Sequence, residues 1–237
     1  MNTPEQLNLR PIRSFVLRQG RITLGQNAAL EQLWPIFGLD MSNDFNALEA
    51  FGRVAPLILE IGFGNGESLA QMALESRDKN FLGIEVHRPG VGHLLLKIQE
   101  LGLDNVRMYC ADAVEVIRSR IAPNSLDAIQ VFFPDPWHKK RHHKRRLVNA
   151  EFVSLAVEKL TVGGILHCAT DWEEYAGQML KLMEASPFLV NLAGQGSYSE
   201  RPASRPPTKF ERRGQRLGHG VWDLLFEKID VGVGGAG

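Results

Sequence analysis

The chain reads as an α/β protein with a doubly wound, mostly parallel sheet covered by helices on both faces. Three observations predict this. From residue 56 onward, apolar runs of strand length alternate with stretches of helix length. The apolar runs are continuous rather than alternating, as strands buried on both faces require. The first run leads into a glycine turn, "EIGFGNG", at the sheet edge where open α/β sheets bind ligands.

Taken in order, "PLILEIG" is the first strand, followed by a helix from about Gly66 to Ser76. "NFLGIEV" is the second strand, and "PGVGHLLLKIQELG" a helix that stops at a glycine C-cap. "NVRMYCAD" and "SLDAIQVFF" are the third and fourth strands, with a short helix, Ala113 to Arg120, between them. A helix from about Val148 to Leu160 leads into "GGILHCATD", the fifth strand. A helix at Trp172 to Ala185, the segment "FLVNLAG", a Pro/Arg-rich loop and the strand "VWDLLFEKI" complete the series. Residues 1–55 are less regular, with one helix near Asn27 to Trp34, and are expected to form a basic, partly flexible N-terminal arm. The domain proper spans 56–230, and the glycine-rich tail 231–237 is expected to be disordered.

Bulk properties narrow the class. The 237 residues suffice for one large domain with a short appendage. Apolar runs fall short of the roughly 18 residues that span a bilayer, and the N-terminus lacks a signal-peptide apolar core, so a cytoplasmic protein without membrane contact is expected. Cys110 and Cys168 both lie in strand-like apolar stretches and are read as buried free thiols. Lys+Arg and Asp+Glu balance at 27 each, yet the cations cluster in three segments, which predicts one basic face.

The glycine turn excludes two ligand classes. Gly62, Gly64 and Gly66 are spaced G-x-G-x-G, which misses the dinucleotide pattern, and no G-K-[ST] follows to make a P-loop. Glu60, just before the glycines, would repel a pyrophosphate but suits a ligand bearing an ammonium group. Glu85 ends the second strand, where an acid binds ribose hydroxyls. Asp112 ends the third, placed to accept from an adenine amino group. Together the three acids fit S-adenosylmethionine, which carries an amino acid, a ribose and an adenine but no phosphate. Each acid alone could equally be a solvated strand end.

After the fourth strand comes "PDPWHKKRHHKRR", residues 134–146. With these features the sequence resembles the class I S-adenosylmethionine-dependent methyltransferases. More narrowly it resembles the bacterial tRNA (guanine-N7-)-methyltransferase family, whose signature is P-D-P-W-x-K-x-R-H-x-K-R-R. "RSFVLRQGRIT" (13–23) and "TKFE" (208–211) agree with the same family, so the resemblance covers about 13–228. It implies a Rossmann-like, seven-stranded, mostly parallel sheet with an antiparallel last strand. It also implies methyl transfer from S-adenosylmethionine to N7 of the variable-loop guanine, position 46, of tRNA.

By motif position Glu60, Glu85, Asp112 and Asp135 resemble the family's cofactor-contacting acids, Gly62, Gly64 and Gly66 its glycine turn, and Asp135 its catalytic residue. Lys139, Arg141, His142, His143, Lys144, Arg145 and Arg146 match RNA-substrate positions. So do Asp171 and the segment Thr208, Lys209, Phe210 and Glu211.

The chemistry explains why one acid precedes so many cations. Guanine N7 has a free lone pair, so methylation needs positioning and electrostatics rather than a strong base. Asp135 can stabilise charge growing on the ring and accept from the guanine N1–H and amino group, while Pro134 and Pro136 stiffen its loop. Trp137 either stacks a base, closes over the cofactor or packs beneath the loop. The cations behind it position phosphates. The histidines, without nearby acids or cysteines, are not expected to bind metal. tRNA is the expected partner, with no obligatory protein partner and a monomer rather than a homodimer. Competing readings are an amino-methyltransferase, which would show [ND]-P-P-[YFW], a non-catalytic RNA-binding relative, and a nicotinamide dehydrogenase.

Overall fold

The computed structural model describes residues 20–207, 211 and 220–231. Thr23 opens α1 (Leu24–Phe37) with a capping box: its hydroxyl accepts from the Gln26 N–H at 3.2 Å, and Gln26 Oε1 accepts from the Thr23 N–H at 2.9 Å. The chain then forms a two-residue strand β1 (Gly38–Leu39) and a short helix α2 (Ala47–Phe51) capped by Asn46. The alternating series follows: β2 (Leu57–Ile61), α3 (Glu67–Glu75), β3 (Asn80–Ile84), α4 (Arg88–Leu101), β4 (Val106–Tyr109), α5 (Ala113–Arg120) and β5 (Leu126–Phe132). A 3₁₀ turn at Lys140–Arg145 precedes α6 (Ala150–Lys159), β6 (Leu160–Thr170), α7 (Glu173–Glu184), β7 (Leu189–Asn191) and β8 (Trp222–Lys228).

The strands lie in the order β1-β4-β3-β2-β5-β6-β8-β7. β1 to β6 are parallel to their neighbours, while β8 inserts antiparallel between β6 and β7. The sheet is therefore the expected mixed, doubly wound one, with eight strands rather than seven. The extra strand comes from the segment read as an arm. Gly38 and Leu39 pair with Met108 and Tyr109, and α1 packs on α4. That packing is close: a Cβ on Gly92 of α4 would lie 2.9 Å from the Gln26 side chain. Residues 1–19 of the arm and 232–237 of the tail lie outside the described residues.

Two apolar cores sandwich the sheet. Leu69, Ala73, Val91, Leu94, Leu95 and Ile98 of α3 and α4 cover one face. Ile117, Phe152, Val153, Ala156, Met179 and Met183 of α5, α6 and α7 cover the other. Both cysteines are free. Cys168 on β6 is buried, which pushes its thiol up to about 12, whereas Cys110 stands just past β4 and is only half-buried. No helix among the described residues is long and apolar enough to cross a membrane.

The chain winds from β2 to β4 in one direction and then jumps back to β5 on the other side of β2. Strand order therefore reverses between β2 and β5. The carboxyl ends of those two strands form the crevice where such sheets take ligands. Glu60 stands near the end of β2 with Gly62 to Gly66 following it, and Asp135 follows β5.

Candidate active site

Beyond β2 the backbone turns through three left-handed glycines, Gly62 (φ 73°), Gly64 (φ 58°) and Gly66 (φ 74°), and Gly66 caps α3. A side chain at any of them would be strained. The turn is tied to β3 by Glu85. Its Oε2 accepts the Gly64 N–H at 2.8 Å, while Oε1 accepts the Val86 and His87 N–H groups at 2.7 and 2.9 Å. Beside the turn lies a cavity of about 840 Å³, walled by Glu60, the glycine turn, Phe132, Phe133 and the proline-rich segment through Ala203 and Pro206.

Glu60 is the unusual group in that wall. It is buried, and its Oε2 has no hydrogen-bond partner among the described residues. Burial first, and the charge of Glu85 second, push its carboxyl up to about 8. A buried acid poised this way fits a cationic ligand and repels an anionic one. Asp112 stands at the same edge of the sheet, past β4, but does not line this cavity. Its Oδ1 accepts the Val114 N–H at 2.9 Å, so it also caps α5.

The loop after β5 is strained on both sides of Asp135. Phe133 (φ 51°) and Trp137 (φ 48°) are non-glycine residues in the left-handed region, each costing on the order of 1–3 kcal/mol. The Phe133 N–H bonds to Ala169 O at 2.8 Å, which fixes the start of the loop on β6. Asp135 is exposed and its Oδ1 accepts the Trp137 N–H at 3.0 Å. The Arg145 guanidinium lies over the Trp137 ring at 4.8 Å, and His142 meets that ring edge-on at 5.8 Å. Trp137 is thus half-buried under its own basic segment. His138 packs edge-on against Trp172, 4.3 Å between ring centres, next to the half-buried Asp171.

The basic segment divides by exposure. Lys139, Arg141 and Lys144 are exposed, and Arg145, His142 and His143 half-buried. Partial burial, then the surrounding cations Arg141, Arg145, Lys139 and Lys144, lower the His142 pKa. Arg146 departs from the expected phosphate-binding role. Its side chain is fully buried, and its donors are committed to Pro136 O, Glu174, Gln178 and the His143 ring. Arg146 directly follows the 3₁₀ turn, and the roughly 120° between consecutive side chains there turns it inward, away from its exposed neighbours.

Of the segment 208–211, Thr208, Lys209 and Phe210 lie outside the described residues. Glu211 is described and also departs from the expected substrate-facing role. It is 2% exposed and its carboxylate meets Arg205 at 2.8 and 3.2 Å. Arg205 in turn binds Asp223 at 2.7 and 2.8 Å, and Asp223 binds His167 at 2.7 Å. This buried network, unforeseen from the sequence, holds the proline-rich wall of the cavity against β6 and β8. Arg205 also lies over Phe132 and Phe133 at 5.8 and 5.6 Å. The one sequence signal for it was a polar residue inside each of two apolar strands, His167 in "GILHCAT" and Asp223 in "VWDLLF". Among the described residues, no group of three or more His, Cys, Asp or Glu is placed to hold a metal ion.

Comparison with known proteins agrees with this geometry. The fold is shared with the crystal structure of the 16S rRNA methyltransferase KamB, at a TM-score of 0.57 and 13% identity, covering 82% of this chain and 98% of that one. A family model described as "Putative methyltransferase" matches residues 54–224. The tRNA (guanine-N(7)-)-methyltransferase of Alcanivorax borkumensis is 59% identical over 221 residues, 93% of this chain and 92% of its own. That of Methylococcus capsulatus is 59% identical over 219 residues, 92% and 95% of the two chains. At 59% identity over more than nine tenths of both chains, the chain belongs to the tRNA (guanine-N(7)-)-methyltransferase family.

Proposed function

We propose that the chain transfers the methyl group of S-adenosylmethionine to N7 of guanine in tRNA, at the variable-loop guanine, position 46. The observation that carries this reading is a buried, partnerless carboxylate oxygen on Glu60 in a cavity whose Phe132–Phe133 wall continues into the Asp135 loop. When bound, the cofactor supplies an electrophilic methyl group on a positively charged sulphur.

The chain's own residues then have separable tasks. Glu60 ionises against the positive charge and fills its empty hydrogen-bonding capacity. The left-handed glycines let the backbone approach the ligand without a Cβ in the way. Glu85 and Asp112 keep acceptor capacity for ribose hydroxyls and an adenine amino group. Asp135 accepts from the guanine N1–H and amino group and stabilises the positive charge that develops on the ring. Because N7 carries no proton near neutral pH, no residue has to remove one. Lys139, Arg141, Lys144 and Arg145 hold phosphates and so set where the guanine arrives, and Asp171 lies on the same side through the His138–Trp172 contact.

The test is incubation with radiolabelled S-adenosylmethionine and an unmodified tRNA transcript, followed by nucleoside analysis. Label should appear in 7-methylguanosine and vanish when the guanine at position 46 is replaced. Label in N6-methyladenosine or in protein would replace this reading with an amino-methyltransferase. No transfer at all would leave an RNA-binding relative.

A further inference from the structure

We infer that Arg146, seated between Glu174, Gln178 and Tyr175 of α7, is a positioning residue that fixes the Asp135 loop, rather than a contact to RNA. The inference rests on the reading of Asp135 given above. Arg146 Nε donates to Pro136 O at 2.8 Å, ten residues back along the chain. Its Nη1 and Nη2 reach the two oxygens of Glu174 at 3.2 Å each, and Nη1 also donates to Gln178 Oε1. Nη2 lies 3.1 Å from His143 Nε2, and the guanidinium sits 4.7 Å over the Tyr175 ring. The Tyr175 hydroxyl accepts from the Val148 N–H at 3.0 Å, which holds that ring in place.

Several physical consequences follow from this arrangement. A cation with no exposed side-chain surface is tolerable only because every direction of its fork is paired. The Nε–Pro136 bond closes residues 136–146 into a ring. Within it, Arg145 covers Trp137 and the Arg146 N–H closes the 3₁₀ turn on His143 O at 3.0 Å. The exposed Lys139, Arg141 and Lys144 are therefore carried on a closed loop that starts one residue after Asp135. Arg146 sets the register between the cations that seize phosphates and the acid that meets the base. Only an arginine can do this, since the site uses a planar fork in three directions and lysine offers a point charge.

The experiment compares Arg146→Lys, Glu174→Gln and their double variant with wild type. It measures kcat at saturating tRNA and cofactor, tRNA affinity over a salt series, cofactor affinity and melting temperature. Loss of register predicts that Arg146→Lys lowers kcat by at least about tenfold, with tRNA affinity and its salt slope unchanged. Glu174→Gln should lower kcat in the same sense, and the double variant should be no worse than Arg146→Lys alone, because the two act as one unit. Glu174 is 58% exposed on its side chain, so its variant keeps the fold if Arg146→Lys does not.

A salt slope flattened by about one unit with kcat intact would make Arg146 a phosphate contact and overturn the inference. Wild-type kcat in both folded single variants would overturn it as well. Asp135→Asn, measured alongside, separates the two readings. If it turns over like wild type while Arg146→Lys does not, Asp135 loses its role and the clamp stands.

Discussion

A cationic ligand in the cavity needs Glu60 ionised, and the folded chain resists that ionisation. With the carboxyl pushed up to about 8, deprotonating it costs about 1.4 kcal/mol at pH 7 and about 2.7 kcal/mol at pH 6, by the conversion of one pKa unit. Affinity for S-adenosylmethionine should therefore rise about tenfold per pH unit between roughly pH 6 and 8 and then level off. Each binding event below that plateau should release close to one proton, which calorimetry in buffers of different ionisation heat reads directly. The cofactor's own α-amino group titrates in the same range, so the informative quantity is the difference between wild type and Glu60→Gln. The variant should lack the rising limb and should bind more weakly than wild type at about pH 9.

Stability gives an independent sign. Glu60 keeps its proton in the folded chain where the unfolded chain has lost it. The stability it contributes is therefore full below the ordinary value of 4.5 and lost as pH climbs towards about 8. The ligand-free Glu60→Gln protein should gain melting temperature over wild type as pH rises, with no gap under acidic conditions. Wild type and variant tracking each other in both affinity and melting temperature would refute the role assigned to Glu60.

Three other expectations are sharper for being local. Glu85→Ala removes the acceptor of three backbone N–H groups at the glycine turn and should weaken cofactor binding by on the order of 1.5–3 kcal/mol; wild-type affinity in a folded variant would remove Glu85 from the site. Arg145→Ala should flatten the salt dependence of tRNA binding by about one unit with cofactor affinity unchanged, and an unaltered slope would confine Arg145 to its place over Trp137. Arg205→Met removes the buried cation that joins Asp223 and Glu211, leaving Glu211 the more distant Arg201 at 3.7 Å and Asp223 its bond to His167, and should cost about 3–5 kcal/mol in denaturant unfolding; a loss below about 1 kcal/mol would mean that water or another cation replaces it.

The alternating elements were legible because continuous apolar runs and helix stops are local signals. The short helix Ala113–Arg120 and the glycine stop at Gly102 fall where the sequence puts them. β1 was not legible. Two residues, Gly38 and Leu39, carry no periodicity, and only the finished edge of β4 gives them a ladder to join. The acids Glu60 and Glu85 were readable from their position at the carboxyl ends of strands. The tie from Glu85 to Gly64 was not, since it spans 21 residues and depends on how the glycine turn folds back. The His167–Asp223–Arg205–Glu211 network joins two strands to a loop across up to 56 residues of sequence, and no spacing rule encodes it.

The adjacent arginines 145 and 146 show why a charge run cannot be read as a uniform surface. In a 3₁₀ turn consecutive side chains point about 120° apart, so neighbours in sequence face opposite surroundings. Arg145 turns towards the Trp137 ring, while Arg146 turns under the loop to Glu174. A phosphate-binding segment made only of outward cations would repel itself and splay from the domain. Burying one cation against a carboxylate on α7 anchors the segment, and Arg146 holds Glu174 below the usual carboxylate range. The same anchor serves the role proposed for Asp135, an acid set beside cations proposed to attract phosphates. Held through Pro136 O at one end and the Phe133 N–H bond to Ala169 of β6 at the other, the Asp135 loop sits at the crevice edge, where under the proposed reaction its carboxylate would meet the charge of the alkylated base rather than that of the RNA backbone.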